Sequence, residues 1–185
     1  MSACQPDSLN REMGYTLTEM LVALAILAVL VALALPSLTT LVQENRLTTY
    51  SNLLTGALQL ARSEAVKRGS SITLCSSNNG LTCGGSWQDG WIILVGATPL
   101  QNYPSLEGRV TLRYALSSGN NSDRIQFNAR GFSPAHAGTW TFCDSRGTRY
   151  ARALIVNSSG RIITARDSNH NGIAEDDLGQ DLYCS

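Results

Sequence analysis

The stretch Gly14-Tyr15-Thr16-Leu17-Thr18-Glu19-Met20 opens an apolar run that continues to Pro36. Residues 20–35 contain no charged and no strongly polar side chain. With the preceding turn they make about 20 residues, which in an α-helix is enough to cross the hydrocarbon core of a membrane. The segment therefore predicts a helix of membrane-spanning length that begins beside a single carboxylate, Glu19.

The carboxylate of Glu19 needs a physical reason, because a charge at the edge of a membrane span is costly unless it is paired. An ordinary secretory signal is the alternative, but it requires a basic leader and a shorter apolar core that ends at small residues. Here the leader combines Arg11 with Asp7 and Glu12, and the apolar run is too long. Glu19 is therefore a candidate functional residue.

These residues resemble the N-terminal signal of type IV pilins and type II secretion pseudopilins. That family combines a Gly, an aromatic residue, a Glu and a long apolar helix, and Gly14, Tyr15 and Glu19 match, although Phe is more usual than Tyr15. The resemblance implies that a prepilin peptidase cuts after Gly14 and methylates the Tyr15 amine. It also implies that Pro36 is the family's helix proline and that Glu19 pairs with a neighbouring subunit's N-terminal amine during assembly.

The chain divides into four segments. They are a cleaved leader at 1–14, the transmembrane and assembly half of a helix at 15–36, an amphipathic half at 37–69, and a β-rich globular domain at 70–185. Pro36 removes one backbone hydrogen bond, so we expect a kink or local melting there. Gly69 is placed to end the helix.

The amphipathic half is predicted from apolar residues at three- and four-residue steps. The series consists of Leu47, Tyr50, Leu54, Ala57, Ala61 and Ala65. After Gly69, short β-branched and aromatic runs alternate with Gly, Ser and Asn clusters, which predicts an antiparallel sheet. The predicted strands are 71–75, 91–95, 110–116, 124–127, 140–143, 152–157 and 161–165, with a hairpin turn at 158–160. The fold class is thus α+β, with a long N-terminal helix packed on a C-terminal sheet, and the tryptophans are expected to fill the sheet faces.

Four cysteines lie beyond the apolar segment, where an oxidising compartment favours disulfides. Four cysteines allow three pairings, which the sequence does not settle. Local spacing favours Cys75 with Cys83, which leaves Cys143 with Cys184. A zinc site is the alternative, but its usual Cys-x₂₋₄-Cys spacing is absent.

A second group of motifs resembles the GspH/FimT branch of the pilin superfamily. The branch has an Ala-Arg-Ser-Glu-Ala motif at the helix end, which matches residues 61–65, and similar features at 128–132 and 159–161. The resemblance implies a FimT/FimU-like minor pilin that sits in the inner membrane by one helix, with its globular domain in the periplasm. It would then enter a pilus fibre near the tip, with other pilins as partners. A GspH-like minor pseudopilin of a type II secretion system and a DNA receptor for natural transformation remain as alternatives.

The sequence gives little support for an enzymatic function. There are two histidines, His136 and His170, both in predicted loops, and no glycine-rich phosphate loop follows a strand. The formal net charge is zero, so any nucleic-acid contact requires a local patch. The sequence predicts a structural or binding protein with no small-molecule substrate, and not an enzyme.

One local patch is a group of late arginines, namely Arg146, Arg149, Arg152, Arg161 and Arg166. If the last two predicted strands form a hairpin, several of these arginines could share one face. Arginines bind phosphates bidentately, and some members of the FimT group bind DNA through Gly-Arg-x-Arg, of which Gly160-Arg161 matches only the first half. The alternative is an ion-paired and solvated sheet surface.

The last motif matches the opening of a calcium-binding loop, D-x-[DN]-x-[DN]-G. Its candidate ligands are Asp167, Asn169, Asn171 and Glu175. Leu178 stands where the bidentate Glu is expected, and Asp177 comes one residue early. The sequence therefore leaves two alternatives, a weak calcium site or an Asn/Asp/Gly-rich turn that folds without metal. No other cofactor is expected.

Overall fold

The computed structural model describes residues 15–184, which form one long helix and eight strands. The chain divides into two compact units, the first ending at Leu41 and the second beginning at Val42. Helix α1 spans Leu17–Arg68, and the strands are β1 Ile72–Ser76, β2 Trp91–Val95, β3 Thr98–Tyr103, β4 Thr111–Leu116, β5 Arg124–Phe127, β6 Gly138–Cys143, β7 Arg152–Val156 and β8 Ile162–Thr164. Two short 3₁₀ helices cover Trp87–Asp89 and Thr148–Tyr150.

Within the first unit, helix α1 begins at Leu17 and continues through position 36. The local melting expected at Pro36 therefore does not occur. A proline inside a helix removes only one backbone hydrogen bond, and the helix continues on both sides of it. The predicted helix over 15–69 is confirmed to within two residues at each end.

Within the second unit, the amphipathic half of α1 buries the predicted face. Leu47, Leu54, Ala57, Ala61 and Ala65 are fully buried in one cluster with inward side chains of the strands. The helix ends as predicted, because Gly69 adopts a left-handed φ of +60° and the Ser70 amide donates to the Ala65 carbonyl at 3.2 Å. These bonds satisfy carbonyls that the helix end would otherwise leave free.

The strands confirm the α+β class but form two antiparallel sheets instead of one. The first sheet has the order β3-β2-β1-β5, and the second has the order β4-β6-β7-β8. Helix α1 and both sheets contribute to one core. Which strands share a sheet depends on long-range pairing, which local sequence patterns do not report.

Aromatic side chains fill the centre of this core, as predicted for the tryptophans. Trp91 and Trp140 are fully buried, and Trp87 is 5% exposed. The Trp140 ring stacks on Tyr114, and Trp87 meets both rings edge-on at centroid distances of 5.6 and 5.9 Å. Because such rings bury large areas, they account for much of the hydrophobic stabilisation.

The sequence patterns did not predict strand β3, Thr98–Tyr103. This strand is exposed along most of its length and contains Pro99, so it lacks both the alternation and the composition of a typical strand. It lies at the edge of the first sheet, where a proline is tolerated. The predicted hairpin at 158–160 is confirmed, since β7 and β8 pair antiparallel across it.

Candidate functional site

The N-terminal end of α1 presents one carboxylate in its first turn. The Thr16 hydroxyl accepts the Glu19 amide at 3.2 Å, and the Thr16 carbonyl accepts the Met20 amide at the same distance. Thr16 thus caps the helix. The Glu19 side chain lies near the positive end of the helix dipole, which favours an acidic group there. Among the described residues 15–184, no side chain pairs with its carboxylate.

Apolar side chains surround the helix in the first unit and are exposed to an unusual degree. Leu24, Leu27 and Leu30, for example, are 55–60% exposed. By length and composition α1 is a candidate membrane span. A helix that is apolar on all faces requires lipid or other helices to cover it. This part of the chain therefore completes its packing only with partners outside its own fold.

The leader residues 1–14, including Gly14, lie outside the described residues. Tyr15 is described and is 76% exposed. The predicted cut between them and the methylation of Tyr15 remain predictions.

Both disulfides that the local spacing favours are present in the second unit. Cys75 pairs with Cys83 across eight residues, and Cys143 pairs with Cys184 across 41 residues. The first bond lies on the outer face of the first sheet, beside Ile92. The second attaches the C-terminal segment to the end of β6.

Two of the five candidate arginines, Arg146 and Arg152, are occupied by ion pairs. Arg146 contacts Asp144 at 2.7 Å and Glu44 of α1 at 3.2 Å, and Arg152 also binds Glu44. The Arg146 side chain is only 11% exposed and lies 4.5 Å from the centre of the Tyr150 ring. These contacts attach the helix to the second sheet, so these two side chains are not free to form the predicted phosphate-binding patch.

The contacts with Arg146 lower the pKa of the Asp144 carboxyl. Burial acts to raise the pKa of this carboxyl, but hydrogen bonds from the Arg146 side chain and amide outweigh that effect. The pKa of Asp144 therefore lies below its usual range. The Asp144 side chain is 5% exposed, which makes this ion pair one of the better shielded in the second unit.

The other candidate arginines lie elsewhere, so the five do not share one face. Arg161 and Arg166 line an open groove of about 830 Å³ beside β8. Within residues 15–184 their guanidinium groups have neither an ion pair nor a hydrogen bond. Arg149 is exposed and lies near Gly172. Of the predicted patch, only Arg161 and Arg166 form a free basic pair.

The predicted calcium loop is a network of internal hydrogen bonds. The Asp167 carboxylate accepts the amides of Asn171 and Gly172, and the Glu175 carboxylate accepts the amides of Ser168 and Asn169. Oxygens of the candidate ligands thus stabilise the turn, and calcium binding by this loop stays a prediction. In the described part of the chain, no group of three or more His, Cys, Asp or Glu is arranged to hold a metal.

Comparison with known proteins places these features in a family. The family model of the type II transport protein GspH matches residues 51–160, which is more than half of the chain. The chain belongs to the GspH family. The model of the prokaryotic N-terminal methylation motif matches residues 9–35, so the GspH-family domain follows a pilin-type N-terminus. Both matches confirm the pilin and pseudopilin resemblance.

Solved structures agree with the fold of this GspH-family protein. Two crystal structures of the type IV minor pilin FimU from Pseudomonas aeruginosa match with TM-scores of 0.55 and 0.52, each at 24% identity. The matches cover 72% and 69% of this chain and 95% and 96% of the FimU chains. At that identity they show a shared fold. No curated protein sequence matches this chain.

Sequence patterns did not reveal the acidic partners of Arg146 and Arg152. Glu44 lies about 100 residues earlier in the chain and reaches the arginines only through tertiary packing. Asp144 had a local signal, because a carboxylate two residues before an arginine can accept both its amide and its side chain. That spacing could have removed Arg146 from the predicted basic patch.

Proposed function

We propose that this GspH-family protein is a minor subunit of a type IV pilus and takes part in assembly near the fibre tip. The main support is the exposed apolar part of α1, up to Leu41, with a single carboxylate, Glu19, in its first turn. The similarity of the fold to FimU, which is described as a type IV minor pilin, supports the pilus over other machines. The protein would be structural and not an enzyme.

Assembly would give the first unit the two things that it lacks alone, which are cover for its apolar faces and a partner for the Glu19 carboxylate. Before assembly, the apolar segment would lie in the inner membrane, with the domain in the periplasm. After the prepilin peptidase removes residues 1–14, the free amine of Tyr15 would become available. Glu19 would then pair with the amine of a neighbouring subunit, because a carboxylate in an apolar helix bundle is costly unless an opposite charge lies beside it.

A substitution at Glu19 tests this role directly. We expect Glu19→Ala to leave leader cleavage and membrane insertion intact and to reduce the amount of protein in sheared fibres at least about tenfold, since its partner amine would be buried unpaired. Thr18→Ala is the matched control, because it changes a polar group in the same turn and removes no charge. Immunoblots of membrane and sheared fractions measure both steps, and mass spectrometry reports whether the chain begins at Tyr15. Wild-type incorporation of the Glu19→Ala variant would contradict the pairing role.

The second candidate function is a minor pseudopilin of a type II secretion system. The description of the matching family, type II transport protein, supports it. The assembly physics is the same in both machines, so substitutions at Glu19 do not separate them. A deletion strain does, because loss of twitching and of surface fibres indicates the pilus, whereas loss of exoprotein secretion with normal fibres indicates the secretion system.

DNA uptake is an additional role that the subunit could have within a pilus. The groove that contains Arg161 and Arg166 supports it, because these two cations have no acidic partner among residues 15–184. The ion pairs of Arg146 and Arg152 weaken it. A transformation assay with the deletion strain, complemented by Arg161→Gln/Arg166→Gln, tests this role separately from fibre assembly.

A further inference from the structure

Strand β8 has an open edge whose backbone groups face outward. On its inner side, the Asn157 amide donates to the Arg161 carbonyl, and the Ala165 amide donates to the Ala153 carbonyl. Hydrogen bonding alternates along an antiparallel pair. The backbone groups of residues 161, 163 and 165 therefore face β7, and those of Ile162 and Thr164 point away from the sheet. No described residue bonds to these outward groups.

The other three sheet edges differ from β8, because each has a feature that limits pairing. Strand β3 contains Pro99 and faces a register shift in β2. Strand β4 is covered by its own following loop, where the Tyr114 carbonyl accepts the Ser122 amide. On β5 the Gln126 carbonyl accepts the Ser133 hydroxyl. Proteins usually protect sheet edges in such ways. The edge of β8 has no such protection among the described residues.

Two grooves border β8, one on each face. On the outer face, Ile163 is 41% exposed and lies in the groove that Arg161 and Arg166 line. On the opposite face, a groove of about 540 Å³ lies between Ile162 and the last turns of α1. Side chains of an added strand would alternate between these two grooves.

The groove beside α1 is lined by an excess of basic side chains. Arg62, Lys67 and Arg161 line the groove beside α1, and no carboxylate lines it. Lys67 is paired with Glu64 at 3.6 Å, whereas Arg62 donates only to the neutral Gly131 and Ser159 carbonyls. Arg62 and Arg161 are therefore the cations of this groove that have no acidic partner among the described residues.

The outer groove has two basic and two acidic side chains, so its formal charge is balanced. The carboxylates of Glu175 and Asp176 accept amides of their own loop. Arg161 and Arg166 beside them have no such partners among the described residues. An occupant of the groove beside α1 would therefore meet net positive charge and Ile162, whereas an occupant of the outer groove would meet balanced charge and the exposed Ile163.

We propose that β8 accepts an extended acidic segment of a partner protein as an additional strand. The outward groups of Ile162 and Thr164 would supply main-chain hydrogen bonds, which is how strand addition gains affinity. Acidic side chains of the segment would meet Arg62 and Arg161 in the groove beside α1, and the alternating apolar side chains would meet Ile163 in the outer groove. The proposal goes beyond the assembly role of Glu19, because it concerns the globular domain and applies in either machine.

A peptide of alternating glutamate and valine is a suitable probe. We use fluorescence anisotropy of this labelled peptide with the full-length protein in mild detergent. We expect it to bind at least about tenfold more tightly than the same peptide with glutamine for glutamate, because each paired charge contributes to affinity. Equal binding of the two peptides would overturn the acidic specificity.

The variants Thr164→Pro and Thr164→Val test the main-chain contacts. Proline removes the outward amide and is tolerated at a sheet edge, whereas valine keeps the amide and a similar shape. We expect Thr164→Pro to weaken binding about tenfold and Thr164→Val to leave it unchanged. A peptide that is N-methylated at every residue should also fail to bind, because it has no amide to donate in either register. Unchanged binding to Thr164→Pro, with circular dichroism showing an intact fold, would overturn the proposal.

Competition with short duplex DNA shows whether this surface binds a peptide strand or phosphate groups. Under the proposal, Arg161→Gln/Arg166→Gln lowers the preference for glutamate over glutamine, and Thr164→Pro changes peptide binding only. If DNA binds the protein and Thr164→Pro affects neither ligand, the edge of β8 is a nucleic-acid surface and strand addition is wrong.

Discussion

The two halves of helix α1 have similar local structure and opposite surroundings. Up to Leu41, large apolar side chains such as Leu27 remain more than half exposed. From Val42 onward, an apolar stripe that includes Leu54 and Leu58 is fully buried against the strands. One continuous helix thus belongs to two compact units.

This difference shows that each half is stabilised by a different partner. The second half has a narrow apolar stripe, which one globular domain can cover. The first half is apolar on all faces, so no single domain covers it, and lipid or a bundle of helices must do so. Substitutions in the two halves should therefore separate domain stability from assembly.

The largest expected effect comes from substituting the same residue type in each half. Leu58→Ala should lower the free energy of unfolding of the domain by about 2–5 kcal/mol, because it leaves a cavity in the core. Leu27→Ala should change it by less than about 0.5 kcal/mol, because Leu27 lies outside the domain. Urea unfolding in mild detergent, followed by tryptophan fluorescence, measures both, since all three tryptophans lie in the second unit. Equal destabilisation by the two variants would show that both halves of α1 contribute to the stability of the domain.

The two disulfides sharpen the comparison, because both lie in the second unit. In the chain-entropy model, each contributes about 2–4 kcal/mol, and the longer loop contributes more. We expect Cys143→Ala/Cys184→Ala to cost about 1 kcal/mol more than Cys75→Ala/Cys83→Ala, since the loops differ as 41 to 8 residues. Urea midpoints measure the difference, and non-reducing peptide mapping of the wild type checks the pairing. Crossed pairing or free thiols would contradict the structure.

The ion cluster that attaches α1 to the second sheet predicts a dependence on pH. Because the pKa of Asp144 is lowered in the fold, its contribution is present above the unfolded pKa of about 4 and is lost as pH falls through the lower folded pKa. Asp144→Asn should cost about 1–3 kcal/mol at neutral pH and reduce the loss of stability in acid. Urea unfolding between neutral and acidic pH measures both. Asp123→Asn is a control, since Asp123 is about half exposed in its ion pair.

A smaller effect concerns the basic groups that the domain leaves free. We expect weak, sequence-independent binding of duplex DNA that falls with salt, as counterion release requires. Arg161→Gln/Arg166→Gln should lower the slope of log affinity against log salt by roughly 2. Arg152→Gln should change it little, because Arg152 is paired with Glu44. Fluorescence anisotropy at several salt concentrations decides this, and no binding at low salt would leave these arginines as a solvated surface.

The smallest effect is expected at the loop from Asp167 to Glu175. If the loop binds calcium weakly, millimolar Ca²⁺ should raise the melting temperature of the domain by about 2 °C, which corresponds to under ~1 kcal/mol. Asp167→Asn should abolish the rise, and it keeps one of the two oxygens that accept the Asn171 and Gly172 amides. Magnesium at equal concentration controls for ionic strength. No difference between calcium and magnesium would favour the metal-free turn.

Local patterns in the sequence predicted most of the fold but only part of the candidate site. The apolar stripe of α1, its end at Gly69 and the Cys75–Cys83 disulfide follow from spacing within short segments, and Cys143–Cys184 was predicted only as the remaining pair. Strand β3 was missed because Pro99 and exposed residues hide its pattern. The sequence did not show which arginines are ion-paired, because Glu44, the partner of Arg146 and Arg152, lies about 100 residues earlier in the chain.

The sequence by itself determined the kind of protein, because its decisive signals are local. A carboxylate before an apolar run, a periodic stripe and four cysteines require no knowledge of distant contacts. Only the tertiary structure decided which arginines are neutralised, how the strands divide into two sheets, and that β8 ends as an open edge. These properties depend on residues that are far apart in the chain and meet only when the core packs, so no local pattern reports them.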